Sequence, residues 1–173
     1  MRYLILIALC SLLVGCASDM TVRMPHDTYN VAGESVAQVK VKDMRAPGIA
    51  ASKREAAFGV PMGSVTFDPP EAQIVKNMLE VELTRLVKEK GILSKQEFSC
   101  DIIEFGVNTN TTPLYWDVIG RIRLALTKTG KEYSLSGTHT ERTFVWPGET
   151  VVKKTVEESL NQIIAQLKQV ALE

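Results

Sequence analysis

Stretches that alternate apolar with polar residues give way twice to stripes repeating every three or four residues, and this pattern sets out the elements. In residues 35–43, Ala37, Val39 and Val41 alternate with Gln38, Lys40 and Lys42, predicting a strand with one buried face. Over residues 71–90 a helical stripe runs through Ala72, Val75, Leu79, Leu83 and Leu86, widened by Met78 and Val87. Asp68 stands where an N-cap belongs, and Pro69 and Pro70 suit a first turn. Gly91 then supplies a left-handed helix end, and Ile92 an apolar residue to pack back on it. Three strands are predicted next, over 99–107, 115–128 and 131–146. In the second, Trp116, Val118, Ile122, Leu124 and Leu126 share one face, and Asp117, Arg121, Arg123 and Thr127 the other. Thr129-Gly130 makes the tight turn of an antiparallel hairpin, whose second arm turns Tyr133, Leu135 and Val145 to one side. Pro147-Gly148 ends that arm. A second helix over 150–172 carries Val152, Val156, Leu160, Ile163, Leu167 and Val170.

This order predicts an α+β domain: a mostly antiparallel sheet of about four strands, with two amphipathic helices packed on one face. The opposite face, with Arg121, Arg123 and Thr127, is left to water or a partner. Residues 46–67 are broken by Gly48, Gly59, Pro61 and Gly63. There, Ala57–Val60 and Ser64–Phe67 are matched to pair as a small hairpin around Pro61-Met62-Gly63. A long irregular segment of this kind is expected to be functional or mobile.

The N-terminus changes the picture. Arg2 is followed by the uncharged run Tyr3–Gly15, which has the length of a signal-peptide core and falls short of the roughly 20 residues of a spanning helix. The run closes on Leu13-Val14-Gly15-Cys16. An apolar residue, two small ones and a cysteine form a bacterial lipobox. The small side chains suit a peptidase's narrow subsites, and the thiol takes a diacylglyceryl group. Cleavage is therefore expected between Gly15 and Cys16. Residues 1–15 are then a lipoprotein signal peptide, 16–34 a lipid-anchored tether, and 35–173 a single periplasmic domain. Ala17, rather than Asp, follows Cys16, which points to the outer membrane, periplasmic face, over the inner membrane. Several acyl chains make such an anchor stable, at about 0.8 kcal/mol per buried methylene.

Charge and cysteines narrow the classes further. The chain holds 20 basic and 20 acidic residues, giving no electrostatic reason to bind nucleic acid. Cys10 leaves with the signal peptide and Cys16 becomes a thioether, so Cys100 remains without a disulfide partner and reads as a buried, inert thiol. His26 and His139 have no second ligand at metal spacing, and there is no G-x-S-x-G elbow or P-loop. Asp101 and Glu104, three apart on a strand, are expected on opposite faces and so cannot act as a carboxylate pair. No enzyme and no cofactor is expected, beyond the covalent lipid on Cys16. Asp43 and Arg45 share a face at a strand end. They read as a local ion pair that fixes the following loop, or as a partner-binding edge. Trp116 and Trp146, at neighbouring hairpin ends, are candidate interface anchors, one expected buried and one partly exposed. With Arg121 and Arg123, these residues make up the possible partner-binding set.

The lipobox, a first strand ending in Asp43-Met44-Arg45, a glycine-containing loop and a helix ending Leu86-Val87-Lys88-Glu89-Lys90-Gly91-Ile92 resemble the YajG-like outer-membrane lipoproteins. The spacing from Leu86 to Gly91 is one residue longer than the family pattern. The resemblance implies no catalytic residues. It implies a lipid-anchored domain that binds or assists an envelope protein partner. The alternative is a small-molecule or lipid-binding lipoprotein, for example an auxiliary component of lipid or lipopolysaccharide transport, with the 46–67 loop covering a pocket.

Overall fold

One long strand organises the sheet. The computed structural model describes residues 19–25, 35–46, 52–55 and 60–170. Within them the elements are β1 (Met20–Arg23), β2 (Ala37–Asp43), β3 (Ser52–Glu55), β4 (Pro61–Asp68), α1 (Glu71–Glu89), β5 (Gln96–Thr111), β6 (Trp116–Lys128), β7 (Lys131–Thr143) and α2 (Glu149–Val170). β5 is 16 residues long. Along one edge it pairs antiparallel with β6, and β6 pairs antiparallel with β7. Two strands share its other edge: β2 runs parallel from Ala37↔Gln96 to Asp43↔Ile102, and β3 joins in parallel at Lys53↔Asn108. Beyond β3, β4 is antiparallel and β1 is parallel to β4.

The sheet is thus seven-stranded and mixed, which corrects the expected antiparallel sheet of about four strands. The extra strands leave little local trace. β3 reads Ser-Lys-Arg-Glu, with no apolar residue to alternate, and β1 is a four-residue strand within the segment expected to be a tether. The parallel partner of β2 lies across a whole helix in sequence, as parallel pairing requires, and local periodicity does not report it. The small hairpin exists in shifted form. Its arms are β3 and β4, and the pair Glu55↔Pro61 puts the connection before Pro61, not at Pro61–Gly63. Ala57, Phe58 and Gly59 lie outside the described residues, as do Gly15, Cys16, the rest of the signal segment, His26 and residues 26–34.

Burial follows the alternation closely in β6, where Val118, Ile122, Leu124 and Leu126 are buried while Arg121 and Arg123 are exposed. Val75, Met78, Leu79 and Leu83 of α1 and Val152, Val156, Leu160, Ile163 and Leu167 of α2 complete one core with these strands. Each such side chain contributes about 2 kcal/mol relative to exposure. The side chain of Val170 is outside the described set. The cap of α1 lies two residues later than expected. Pro70 is the N-cap, with no side-chain cap bond, and Asp68 closes β4, its carbonyl accepting the Met24 N–H at 2.8 Å. The C-terminus has the expected form: Gly91 has φ 73°, its N–H reaches Lys88 O at 2.9 Å, and Ile92 N–H reaches Val87 O at 3.1 Å. Val145, expected inside, lies past the end of β7 and is exposed, because the alternation stops at Thr143.

Helix side chains cap the sheet's outer edges, where unpaired N–H groups would otherwise invite another strand. On β2, Ala37 N–H donates to Thr84 Oγ1 and Val39 N–H to Glu80 Oε1, both at 3.1 Å. On β7, Gln162 accepts from Thr138 N–H and donates to Thr138 O, both at 3.0 Å. Gln166, one turn later, treats Ser136 the same way, accepting at 3.0 Å and donating at 2.5 Å. α2 also meets the far end of the sheet, where Glu149 Oε1 accepts from the Arg23 N–H of β1 at 2.8 Å. The sheet curls so that both of its terminal strands reach this one helix.

That closeness depends on Gly137. A Cβ there would lie 1.9 Å from Ser159 O, on the backbone of α2. Gly137→Ala is expected to cost about 3 kcal/mol in urea unfolding, the upper end for forcing a packed helix aside. Gly148→Ala, with nothing within 4 Å of the new methyl, is the comparison. It changes only a glycine N-cap of α2, whose carbonyl accepts from Val152 N–H at 3.3 Å, and is expected to cost about 1 kcal/mol.

Candidate functional site

Two clusters hold the polar and aromatic side chains that the core does not use. The first lies where β2 and β3 meet the same edge of β5. β2 stops at Asp43, opposite Ile102, and β3 resumes only at Asn108, while β5 shifts register between Ile102 and Glu104. Backbone groups in that gap need partners. Met44 N–H donates to Ile102 O at 3.0 Å, and Val107 N–H to Ser52 Oγ at 2.9 Å. Arg45 supplies the third, with Nη1 donating to Phe105 O at 2.8 Å. Its Nη2 lies 2.6 Å and its Nε 2.9 Å from the two Asp43 carboxylate oxygens, and Nη1 lies 3.4 Å from Glu71 Oε1 in the first turn of α1. The side chain is only 6% exposed.

The ion pair read from Asp43-Met44-Arg45 is therefore present, with two further contacts that the sequence did not announce. Donation to the Asp43 carboxylate holds the guanidinium above its ordinary pKa, and the same bonding holds the Asp43 carboxyl below the usual carboxylate range. A carboxyl depressed in the fold adds stability above its unfolded pKa, and that stability is lost as pH falls through the lowered value. The hollow beside the clamp, lined by Arg45, Ser52, Phe105 and Asn108 among others, is about 80 Å³. That is room for a few waters and well below the roughly 300 Å³ at which small-molecule sites begin.

The register shift also corrects the reading of Asp101 and Glu104. Asp101 stands opposite Ala125 and Glu104 opposite Arg123, two residues apart on β6, so both carboxylates lie on one face. The extra residue, Ile103, reverses the parity that a regular strand would impose, and is itself exposed. Glu104 pairs with Arg123 at 3.2 Å across this open face. Arg121 is exposed on the same face. His139 is half-buried, its Nε2 3.3 Å from Glu141, and burial pushes the Cys100 thiol up to about 12, which leaves it protonated and unreactive.

The second cluster is aromatic. It lies at the end of the sheet where β5 turns into β6 and β7 leads to α2. In the first turn Thr112 Oγ1 accepts from Leu114 N–H at 3.3 Å and Tyr115 N–H at 3.0 Å, which throws the Leu114 side chain outward. In the second, Thr143 Oγ1 accepts from Val145 N–H at 3.3 Å and leaves Phe144 and Val145 projecting. Trp116 and Trp146 meet edge to face, with centroids 5.9 Å apart; Trp116 is half-buried and Trp146 43% exposed. Tyr115 stacks edge-on against Phe144 at 6.3 Å, and the Arg142 guanidinium sits 3.9 Å over the Tyr115 ring while pairing with Asp117 at 2.8 Å. Arg54 of β3 lies 5.8 Å from the Trp146 ring centroid. Leu114, Phe144 and Val145 were missed as site residues. The usable signal was Phe144-Val145-Trp146, an apolar run without alternation directly before Pro147-Gly148.

No family model matches the chain, and no curated protein matches it. Among solved structures, one described only as an uncharacterized protein is similar at a TM-score of 0.49 and 10% identity, covering 88% of this chain and 98% of that one. Another is the lipoprotein GNA1162 from Neisseria meningitidis, at a TM-score of 0.26 and 15% identity, covering 80% of this chain and 99% of that one. Likenesses this loose carry no argument, so the YajG-like resemblance stands on its motifs alone. Among the described residues, no helix is long and apolar enough to cross a membrane.

The clamp has a direct consequence. Arg45→Met removes the donor to the buried Phe105 carbonyl and is expected to lower stability by about 2 kcal/mol. Arg45→Lys should recover only part of that loss, because one ammonium cannot serve Asp43, Glu71 and Phe105 O in the same geometry. Urea melts of the three proteins at neutral pH measure both.

Proposed function

We propose that the chain is a non-enzymatic bacterial lipoprotein, cleaved before Cys16, lipidated there and held at the periplasmic face of the outer membrane, where its domain binds or assists an envelope protein partner. The observation that carries this reading is the Leu13-Val14-Gly15-Cys16 motif, placed after a short uncharged run and only three residues before Asp19. Asp19 is already tied to the domain, its Oδ1 accepting from Ser64 N–H at 2.8 Å and from Ser64 Oγ–H at 2.7 Å. A signal-like run ending at a lipobox and passing directly into folded structure is the arrangement an anchored domain needs. Ala17 favours the outer membrane.

The polar face with Arg121 and Arg123 supports the partner-binding part of the reading. It offers exposed guanidinium groups on a rigid strand, whereas Arg45 is engaged internally. Small-ligand binding draws no support from the hollow beside Arg45, which is too small.

Expression of the full chain with a clickable palmitate analogue tests the anchor. The wild type should incorporate label and sediment with outer-membrane fractions. Cys16→Ser should lose the label entirely, remain uncleaved and leave the outer-membrane fraction. Label retained on Cys16→Ser would overturn the assignment. For the partner, a photo-crosslinker at Arg121 or Arg123 should capture a discrete envelope protein, and unchanged gel mobility at both positions would remove that part of the proposal.

A further inference from the structure

We propose that the aromatic end of the sheet is a membrane-contact rim that seats the domain directly on the bilayer holding its anchor. This rests on the lipid-anchored reading above. β5 and the parallel β3 both run toward that end; β4 runs back from it, and β1, parallel to β4, also runs away from it. The chain upstream of β1 therefore leaves the domain where β5 finishes, β6 begins and β7 finishes. Trp146 lies against Arg54 of β3, which runs to the same end, and Glu149, three residues past Trp146, holds the far end of β1 through Arg23 N–H at 2.8 Å.

The anchor then has little freedom. Asp19 is fixed on Ser64. Cys16 is three residues away, a span of about 10 Å even when fully extended. A lipid on Cys16 brings the bilayer to this end of the sheet, and a protein partner of ordinary thickness does not fit between. What the end presents matches the interface: Leu114 is 77% exposed, Phe144 73% and Val145 70%, with Val60 nearby on the connection into β4. Trp146 and Tyr115 stand beside them, and the half-exposed Arg142 lies over the Tyr115 ring, while Arg54, against Trp146, is buried. Apolar tips, amphipathic aromatic rings and an exposed guanidinium are the chemistries that suit the boundary between acyl chains and headgroups. Elsewhere so exposed a set would be a liability.

The chain has two tryptophans, which makes a depth measurement direct. Full-length lipidated protein carrying Trp116→Phe is placed in phosphatidylethanolamine–phosphatidylglycerol vesicles whose acyl chains are dibrominated. Trp146 emission should fall by about half relative to unbrominated vesicles, as for an interfacial indole. Phe144→Ser with Val145→Ser should abolish most of that quenching while mass spectrometry still finds lipid on Cys16. If Trp116→Phe unfolds the domain, the wild type with both indoles reads the same contrast. Lipidated protein whose Trp146 is no more quenched in brominated than in unbrominated vesicles would overturn the rim and leave the anchor standing. Absence of lipid on Cys16 would overturn both.

Discussion

The carbonyl of Phe105 faces a stretch of the β5 edge that no strand covers, because β2 stops at Asp43 and β3 begins at Ser52. The guanidinium of Arg45 fills that place, and its other contacts reach the end of β2 and the first turn of α1. The arrangement explains why a charged side chain is buried here: each of its faces meets an oxygen, so the desolvation of the cation is offset by hydrogen bonds in fixed geometry. It also explains why one edge of β5 can host two strands. Beyond the gap, the group β3-β4-β1 is held to β5 by the short pairing around Asn108 and the hydroxyl bonds of Ser52 and Thr109.

Helices finish what the strands leave open. Glu80 and Thr84 close the free edge of β2, Gln162 and Gln166 that of β7, and Glu149 that of β1. Because α2 serves both terminal strands, the curl of the sheet and the position of β1 are linked to one helix. The strand pairing brings the start of β1 and the exposed aromatic turns to one end, though about 90 residues or more separate them in sequence.

Period and punctuation made the strongly amphipathic elements legible. β2, α1, β6 and α2 were readable because each has one buried face with a regular repeat, and the Gly91 helix end because only a left-handed residue fits it. β3 was not, since Ser-Lys-Arg-Glu is held by its neighbours and not by its own apolar content. Parallel pairing was hidden for a related reason: it is a long-range choice that leaves local alternation unchanged. The bulge at Ile103 moved Glu104 to the face of Asp101, a parity change that a strand pattern read alone does not contain. Of the candidate site residues, Asp43 and Arg45 were found together and the two tryptophans were found in contact. The partners that give Arg45 its role, Glu71 and Phe105 O, lie 26 and 60 residues away.

Arg45 ties the end of β2 and the first turn of α1 to the stretch of the β5 edge that no strand covers. Native-state hydrogen exchange on Arg45→Met tests this most directly. Amides of the second half of β2, the first turn of α1 and residues 102–107 should lose protection together, while those of β6 and β7 keep theirs. Protection in β2 and α1 equal to that of the parent would contradict it.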